Sequence, residues 1–215
     1  MSDFFLPWPL LLAFLGASLV LAATPGPGVV FVVARTLSQG RSAGLSSVAG
    51  VALGNFANAV GASLGLAALF AISSAAFTLV KWAGAAYLVY IGLRTLLAKP
   101  AQTDDGVQFQ KQALAKIFRD GFWVALLNPK TAIFFAAFLP QFLDAVSPSV
   151  AQSLMLGASF VLIAASTDTL YVLAAARVAP AMAGMLRNAS IGRYLTATVF
   201  IGLGVFTALT GTRSK

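Results

Sequence analysis

The chain has 215 residues, of which 59% are hydrophobic and only 9% are charged. Soluble domains carry about 25% charged residues, so this composition predicts a multi-pass integral membrane protein. The net charge of +8 does not indicate nucleic-acid binding, because the lysines and arginines lie between apolar runs. There is no His and no Cys, and every acid is Asp. This composition excludes thiol chemistry and the common metal-dependent hydrolases, so we expect neither an enzyme nor a bound cofactor or metal.

Apolar runs between the charged residues predict the transmembrane helices. A span needs about 20 apolar residues. Six runs qualify, at residues 10–34, 45–73, 77–97, 121–143, 150–176 and 194–210. Residues 42–80 carry no charge, so the second and third spans must turn tightly near Ser73-Ser74. If residues 77–97 do not cross, five spans result and every later segment reverses its direction.

The basic residues between the spans predict the orientation. With six spans, ten of them face one side: Arg35, Arg41, Arg94, Lys99, Lys111, Lys116, Arg119, Arg177, Arg187 and Arg193. The other side has Lys81, Arg213 and Lys215. The positive-inside rule then places both termini outside the cytoplasm.

Two proline motifs interrupt the first and fourth spans at matching places. They are Thr24-Pro25-Gly26-Pro27-Gly28 and Asn128-Pro129-Lys130. Proline removes a backbone donor, and lipid offers no replacement, so a broken helix at membrane depth must face protein or a wet cavity. Paired broken helices predict two inverted repeats. We therefore expect an all-α membrane fold with three-helix repeats at residues 1–98 and 121–215, joined by a cytoplasmic loop at 99–120.

Four polar or helix-breaking features share one predicted depth. At about 1.5 Å of rise per residue, Asp168 lies about 13 Å from the inner edge of its span, and Lys130, Pro25 and Asn55 lie about 15–16 Å deep. The hydrocarbon core is about 30 Å thick, so all four converge near its middle. Intramembrane ionisable residues usually mark a functional site, although Lys130 and Asp168 could also form a purely structural ion pair.

The predicted site suits a small zwitterion, such as a free amino acid. Broken helices expose amide donors and carbonyl acceptors, Lys130 adds a positive charge and Asp168 a negative one. Asp168 is also the predicted proton-coupling residue, because a carboxyl group held away from water takes up a proton more readily. The predicted substrate-binding residues are Pro25, Gly26, Pro27, Asn55, Asn128, Pro129, Lys130, Asp168 and Tyr171.

The chain resembles the lysine-exporter (LysE/RhtB) family of bacterial amino-acid exporters over essentially its whole length. The motifs that carry the resemblance are Pro25-Gly26-Pro27, Gly50 with Gly54-Asn55, the run from Trp82 to Leu88 with Tyr90-Ile91-Gly92, Leu127-Asn128-Pro129-Lys130, Phe134-Phe135, Leu139-Pro140-Gln141-Phe142 and Asp168. Each motif is weak alone, and their shared order makes the resemblance specific.

The resemblance implies proton-driven export of amino acids or close derivatives across the bacterial inner membrane. In that membrane the positive-inside rule makes both termini periplasmic. The expected partners are an amino acid, protons and the lipid bilayer, and a homo-oligomer is left open. With one well-buried acid expected, a neutral substrate such as threonine, homoserine or leucine is favoured over lysine or arginine. The alternative function is an efflux protein or channel for another small solute or a cation, although such sites usually use carbonyl rings or several acids.

Overall fold

The computed structural model describes residues 7–64, 74–97, 101–103, 106–108, 112–143, 150–181 and 189–209 of the chain. Helices dominate these residues, and their bounds are α1 Trp8–Ala23, α2 Pro27–Gln39, α3 Arg41–Ser63, α4 Ser74–Leu97, α5 Leu114–Leu126, α6 Pro129–Ile133, α7 Val150–Val178 and α8 Ala189–Leu209. Two short strands, β1 (Ala101–Thr103) and β2 (Gly106–Gln108), pair antiparallel within the predicted cytoplasmic connection. The last part of the expected connection at 99–120 is already helical, since α5 begins at Leu114. The predicted turn before Ser74 falls at residues 65–73, outside the described part of the chain.

The first predicted span is broken into α1 and α2, which meet at an angle of 48°. Thr24, Pro25 and Gly26 separate the two helices, and Pro27 is the first residue of α2. Proline fits a first helical position, since its missing N–H would have no partner there. At the other end of α2, Gly40 adopts a φ of 87°, a left-handed conformation that lets α3 begin at the next residue.

The fourth predicted span is also irregular. After α5, Leu127 and Asn128 interrupt the helix, and α6 starts at Pro129. A π-helical turn (Phe134–Phe138) and a 3₁₀ turn (Leu139–Phe142) follow without a gap. π-helical turns frequently occur at functional sites. Both proline motifs thus end one helix and begin another, as the sequence predicts.

Small residues let α3 and α5 pack closely and in parallel. The Ser46 hydroxyl donates to the Leu114 carbonyl at 2.7 Å, and the Asn58 amide donates to the Ala125 carbonyl at 3.0 Å. Between these contacts, a Cβ atom added to Gly50 would clash with the Phe118 carbonyl oxygen. A side chain therefore does not fit at Gly50 unless the backbones separate. We call this backbone contact the α3–α5 seam.

The other helix contacts fix the relative directions of α7, α4 and α8. Gly44 of α3 faces Val172, whereas Ala59 faces Gly157, so α3 and α7 are antiparallel. Helices α4 and α8 pack against each other through glycines that approach backbone carbonyls, Gly92 at Ala197 and Gly204 at Ala85. They are antiparallel as well.

Two apolar clusters form the interior. The Phe14 cluster joins α1, α3, α7 and the irregular end of the fourth span, with Phe14, Ala22, Ala59, Phe134, Phe135, Leu139, Leu156, Phe160 and Ala164. The Phe31 cluster joins α2 to α3, α4, α5, α7 and α8, with Phe31, Val32, Ala43, Val48, Val51, Leu88, Ile91, Ile117, Val124, Ala125, Val172 and Phe200.

Among the described helices, α3 and α7 are each long and apolar enough to cross a membrane. The bent pair α1–α2 counts as a third crossing if its two helices form one span. Shorter apolar stretches occur at Trp82–Leu97 and Ala197–Phe206. The structure is thus helical with apolar spans, and the count of six stays a prediction.

We predict that Gly50→Ala destabilises the protein by about 1–3 kcal/mol, the usual cost of overpacking. The added methyl group would push against the Phe118 carbonyl, which belongs to the backbone and cannot turn away. Thermal unfolding in detergent measures the effect. The matched control is Gly202→Ala, since a Cβ at Gly202 meets nothing within 4 Å. Equal melting temperatures for the two variants would contradict the α3–α5 seam.

Candidate functional site

A small cavity of about 40 Å³ opens beside the break between α1 and α2. Its lining comes from α1, α2, α3, α7 and the second break: Leu21, Ala22, Gly26, Gly28, Val29, Val51, Asn55, Asn128, Lys130, Thr131, Ala164 and Asp168. A water molecule needs roughly 10–15 Å³ of such space, so the cavity holds a few waters. A solute the size of an amino acid needs the cavity to enlarge.

The Lys130 side chain reaches from the second break into the first. Its ammonium group donates to the carbonyl oxygens of Leu21 at 2.7 Å and Thr24 at 2.5 Å. The last carbonyls of a helix have no partner within the helix and carry partial negative charge, so a cation stabilises them. Gly26 gives the lysine room, because a Cβ there would lie 3.2 Å from Lys130 Cδ.

Two more hydroxyl groups complete the end of α1. The Tyr171 hydroxyl of α7 donates to the Ala23 carbonyl at 2.8 Å, and the Thr24 hydroxyl donates to the Val20 carbonyl at 2.6 Å. The Ala23 and Thr24 carbonyls, which the break leaves open, thus receive donors from Tyr171 and Lys130, whereas the Val20 and Leu21 carbonyls also accept from the Thr24 amide. The carbonyl end of the first break is therefore occupied by the protein's own donors.

The amide end of the same break is open towards the cavity. Helix α2 begins with Pro27, its N-cap Gly26 has no side chain, and the first internal bond runs from the Val30 amide to the Gly26 carbonyl at 2.9 Å. The amides of Gly28 and Val29 therefore lack partners within the helix, and both residues line the cavity. The second break differs, because the Asn128 side chain accepts from the Lys130 amide at 3.1 Å and caps its own helix.

Asn55 and Asp168 bring buried oxygen acceptors to the cavity. Asn55 is 6% exposed and Asp168 is 5% exposed. Among the residues that the structure describes, Asn55 Oδ1 has no hydrogen-bond partner. The hydroxyls beside Asp168 turn to their own helix, Thr167 to the Ala164 carbonyl at 2.9 Å and Thr169 to the Ala165 carbonyl at 2.7 Å.

Lys130 and Asp168 do not form the direct ion pair that the sequence left open. Within the described part of the chain, the one ion pair closer than 4.0 Å joins Arg35 and Asp120. The Lys130 ammonium instead bonds to the carbonyls at the end of α1. Asp168 is consequently available to a ligand.

The structure brings five of the nine predicted binding residues to the cavity: Gly26, Asn55, Asn128, Lys130 and Asp168. Pro25, Pro27 and Pro129 shape the two breaks, and Tyr171 bonds to the end of α1. Sequence reasoning missed the other seven cavity residues: Leu21, Ala22, Gly28, Val29, Val51, Thr131 and Ala164. The amides at a helix start have no partner within the helix, so the position of Pro27 was the signal for Gly28 and Val29.

A second polar cluster lies outside the cavity and was not predicted. Arg35 Nη2 approaches Asp120 Oδ2 at 3.5 Å, and the two side chains are 3% and 9% exposed. The Tyr87 hydroxyl donates to Asp120 Oδ1 at 3.3 Å. The Arg35 guanidinium also sits 5.3 Å from the ring centre of Phe31 and 5.8 Å from that of Phe200.

This second cluster corrects two expectations. Arg35 was counted as a solvated loop charge, and Asp168 was taken as the one well-buried acid. Arg35 instead follows Gly28 by two turns of α2 and shares its buried face with Phe31 and Val32. The 3.6-residue period of a helix places Arg35 on the same face as Phe31 and Val32, and this was the sequence signal for its burial. Because Arg35 neutralises Asp120, Asp168 is the acid without a direct ion pair in the described residues, and Lys130 acts on it only from a distance.

Comparisons with known proteins agree with the sequence resemblance. The model of the LysE type translocator family matches residues 19–211. Homoserine/homoserine lactone efflux proteins of Salmonella typhimurium and Salmonella typhi are each 34% identical over 167 residues, covering 78% of this chain and 81% of theirs. An uncharacterized membrane protein of Vibrio cholerae is 30% identical over 200 residues, covering 92% of this chain and 95% of its own. No solved structure matches the chain.

These matches span most of the chain and come from transporters rather than enzymes. They confirm the family that the proline breaks and the Leu127-Asn128-Pro129-Lys130 motif indicate, and they support a multi-pass membrane protein with a small-molecule substrate. The chain belongs to the LysE family of translocators.

Proposed function

We propose that this protein exports small amino-acid-type solutes from the cytoplasm and that it recognises them chiefly through their amino group. The observation that carries the proposal is a pair of buried acceptors at the cavity, Asn55 Oδ1 and the Asp168 carboxylate. The lysine that lines the same cavity, Lys130, donates its hydrogen bonds to the end of α1 instead. An ammonium group donates three hydrogen bonds and carries the charge that a buried carboxylate needs.

The names of the Salmonella relatives favour the amino group as the recognised feature. Homoserine has both an ammonium and a carboxylate, whereas homoserine lactone is a cyclic ester that keeps the amino group and has no carboxylate. A site that serves both solutes needs acceptors for the amine. Asp168 and Asn55 supply these acceptors. The site then needs no free lysine to bind the carboxylate of the substrate.

The open amides of Gly28 and Val29 supply the opposite end of the site. Carboxylate and lactone carbonyl oxygens both accept hydrogen bonds, so the start of α2 suits either one, and the partial positive charge of a helix start favours the carboxylate. A homoserine-sized solute would then lie with its amine at Asp168 and its carbonyl end at α2. Lys130 supports the site by holding α1 in place rather than by binding the substrate.

The arrangement of the helices supports an alternating-access transporter with six crossings. Helices α3 and α5 are parallel, α7 is antiparallel to α3, and α4 and α8 are antiparallel, as six successive crossings of the membrane require. The cavity touches the Phe14 cluster through Ala22 and Ala164 and the Phe31 cluster through Val51. Apolar packing at both borders fits a closed state between inward-open and outward-open forms.

Proton coupling is assigned to Asp168 in this proposal. The carboxylate alternates between holding a proton and holding the substrate ammonium, so that one is exchanged for the other. A neutral substrate such as homoserine suits the site, because Asp120 is already paired with Arg35 and one uncompensated acid is left. The exchange would run across the bacterial inner membrane, with both termini on the periplasmic side.

We predict that blocking the amino group prevents recognition. In inside-out membrane vesicles with an imposed pH gradient, homoserine lactone should compete with uptake of labelled homoserine, whereas N-acetylhomoserine should not. Acetylation removes the positive charge and leaves the carboxylate intact. Equal competition by the acetylated compound would show that the carboxylate is the recognised group.

We predict that Asp168→Asn abolishes export driven by a pH gradient while the protein still inserts and folds. The amide keeps the shape of the side chain but neither carries a proton nor neutralises an ammonium group. Vesicle transport with membrane content measured in parallel tests this. Thr169→Val is the matched control on the same helix, because the Thr169 hydroxyl bonds to its own helix. Gradient-driven export by Asp168→Asn would remove Asp168 from the mechanism.

We predict that Lys130→Met lowers export of homoserine and homoserine lactone equally and destabilises the protein by about 1–3 kcal/mol, the usual contribution of hydrogen bonds from a charged group. The lysine holds the Leu21 and Thr24 carbonyls, so its loss affects both solutes alike. Tyr171→Phe, which removes one hydrogen bond to the Ala23 carbonyl, should cost less. A loss confined to homoserine would show that Lys130 binds the carboxylate, as the sequence suggests.

A further inference from the structure

We propose that the Arg35–Asp120 ion pair, together with Tyr87, closes the path between the cavity and the cytoplasm and must separate to admit substrate. The inference rests on the proposed function, since it treats the cavity as the transport site. It concerns residues that take no part in that site, because none of the three lines the cavity.

The ion pair lies in line with the cavity along α2. Gly28 lines the cavity, and Phe31 and Arg35 follow on the same buried face. Seven residues of helix place Arg35 about 10 Å beyond Gly28. The positive-inside rule assigns this end of α2 to the cytoplasmic side. A solute moving from the cytoplasm to the cavity along α2 would therefore meet the ion pair first and Phe31 next.

Aromatic rings form the second layer of this closure. Phe31 and Phe200 are fully buried, and their ring centres are 5.7 Å apart. Both rings lie beneath the Arg35 guanidinium, so the arginine holds them together through cation–π contacts. Moving Arg35 would release both rings at the same time. The ion pair thus holds closed a barrier whose other two residues, Phe31 and Phe200, are apolar.

The geometry of the Arg35–Asp120 pair is that of a contact that can open, rather than that of a permanent one. The closest approach of Arg35 to Asp120 is 3.5 Å and the Tyr87 hydrogen bond is 3.3 Å, whereas strong charge-assisted pairs are bidentate at about 2.7–2.9 Å. Among the described residues, the buried Arg35 Nε has no hydrogen-bond partner. A buried pair that is incompletely satisfied gains little from staying closed.

The experiment uses a single reporter thiol, since the chain contains no cysteine. Ala164→Cys places the thiol at the cavity with a small change in size. A membrane-impermeant maleimide is then applied without substrate, either to inside-out vesicles, which expose the cytoplasmic face, or to intact spheroplasts, which expose the periplasmic face. Labelling rates are compared between the reporter alone and the reporter combined with Arg35→Gln or Asp120→Asn.

We expect each substitution to raise the labelling rate in inside-out vesicles by about fivefold or more, as a shift towards the inward-open state would, with no rise in spheroplasts. Tyr87→Phe should raise it less, and this milder change serves as the test if the charge variants do not fold. Arg119→Gln is the matched control, because Arg119 neighbours Asp120 but is exposed. It should leave the rate unchanged.

An unchanged rate in inside-out vesicles, or an equal rise from both sides, would overturn the proposal, because a purely structural pair would loosen the protein without preference for one side. A rise from the periplasmic side alone would overturn it as well. The labelling experiment uses no transported solute, so its result does not depend on which solute the protein exports. Absence of homoserine export in the unmodified protein would refute the proposed function and leave the labelling result valid.

Discussion

The insertion of Lys130 into the break between α1 and α2 is the interaction on which the rest of the site depends. A helix that stops inside a membrane leaves carbonyl oxygens that lipid cannot satisfy. The Lys130 ammonium bonds two of them, and Tyr171 bonds a third. Both ends of the break line the cavity, but these donors occupy the carbonyl end, so the amides at the start of α2 are the backbone groups left for a ligand. The position of Lys130 therefore decides which polar groups of the cavity are left for a ligand. They are the amides at the start of α2 and the acceptors Asp168 and Asn55.

The same reasoning explains why the two breaks are not equivalent, although both contain a proline at the first position of the helix that follows. Asn128 uses its own side chain to cap α6, whereas Gly26 has no side chain with which to cap α2. One break is therefore closed by its own residues, and the other offers free amides. A glycine in place of an asparagine leaves the start of α2 without the side-chain cap that the start of α6 has.

Much of the fold could be predicted from the sequence, because its determinants are local. Proline at positions 25, 27 and 129 dictates where helices end, and the depths of Lys130 and Asp168 follow from counting residues. The partners of Lys130 could not be predicted, since backbone carbonyls have no signature in the sequence. The Arg35–Asp120 pair was missed because charges near span ends were counted as loop charges, although the helical period places Arg35 beside Phe31. The count of six crossings and the roles of the site residues are still predictions.

The α3–α5 seam limits how this protein can move. Helix α3 belongs to the first predicted repeat and α5 to the second, yet Gly50 and Gly54 press directly on the backbone of α5. A rigid-body rotation of one repeat against the other would have to separate the backbones of α3 and α5. In the proposed transport cycle, a movement that keeps this contact has to take place in other helices. Helix α2 is the candidate, because a glycine lies directly before it and directly after it, Gly26 and Gly40.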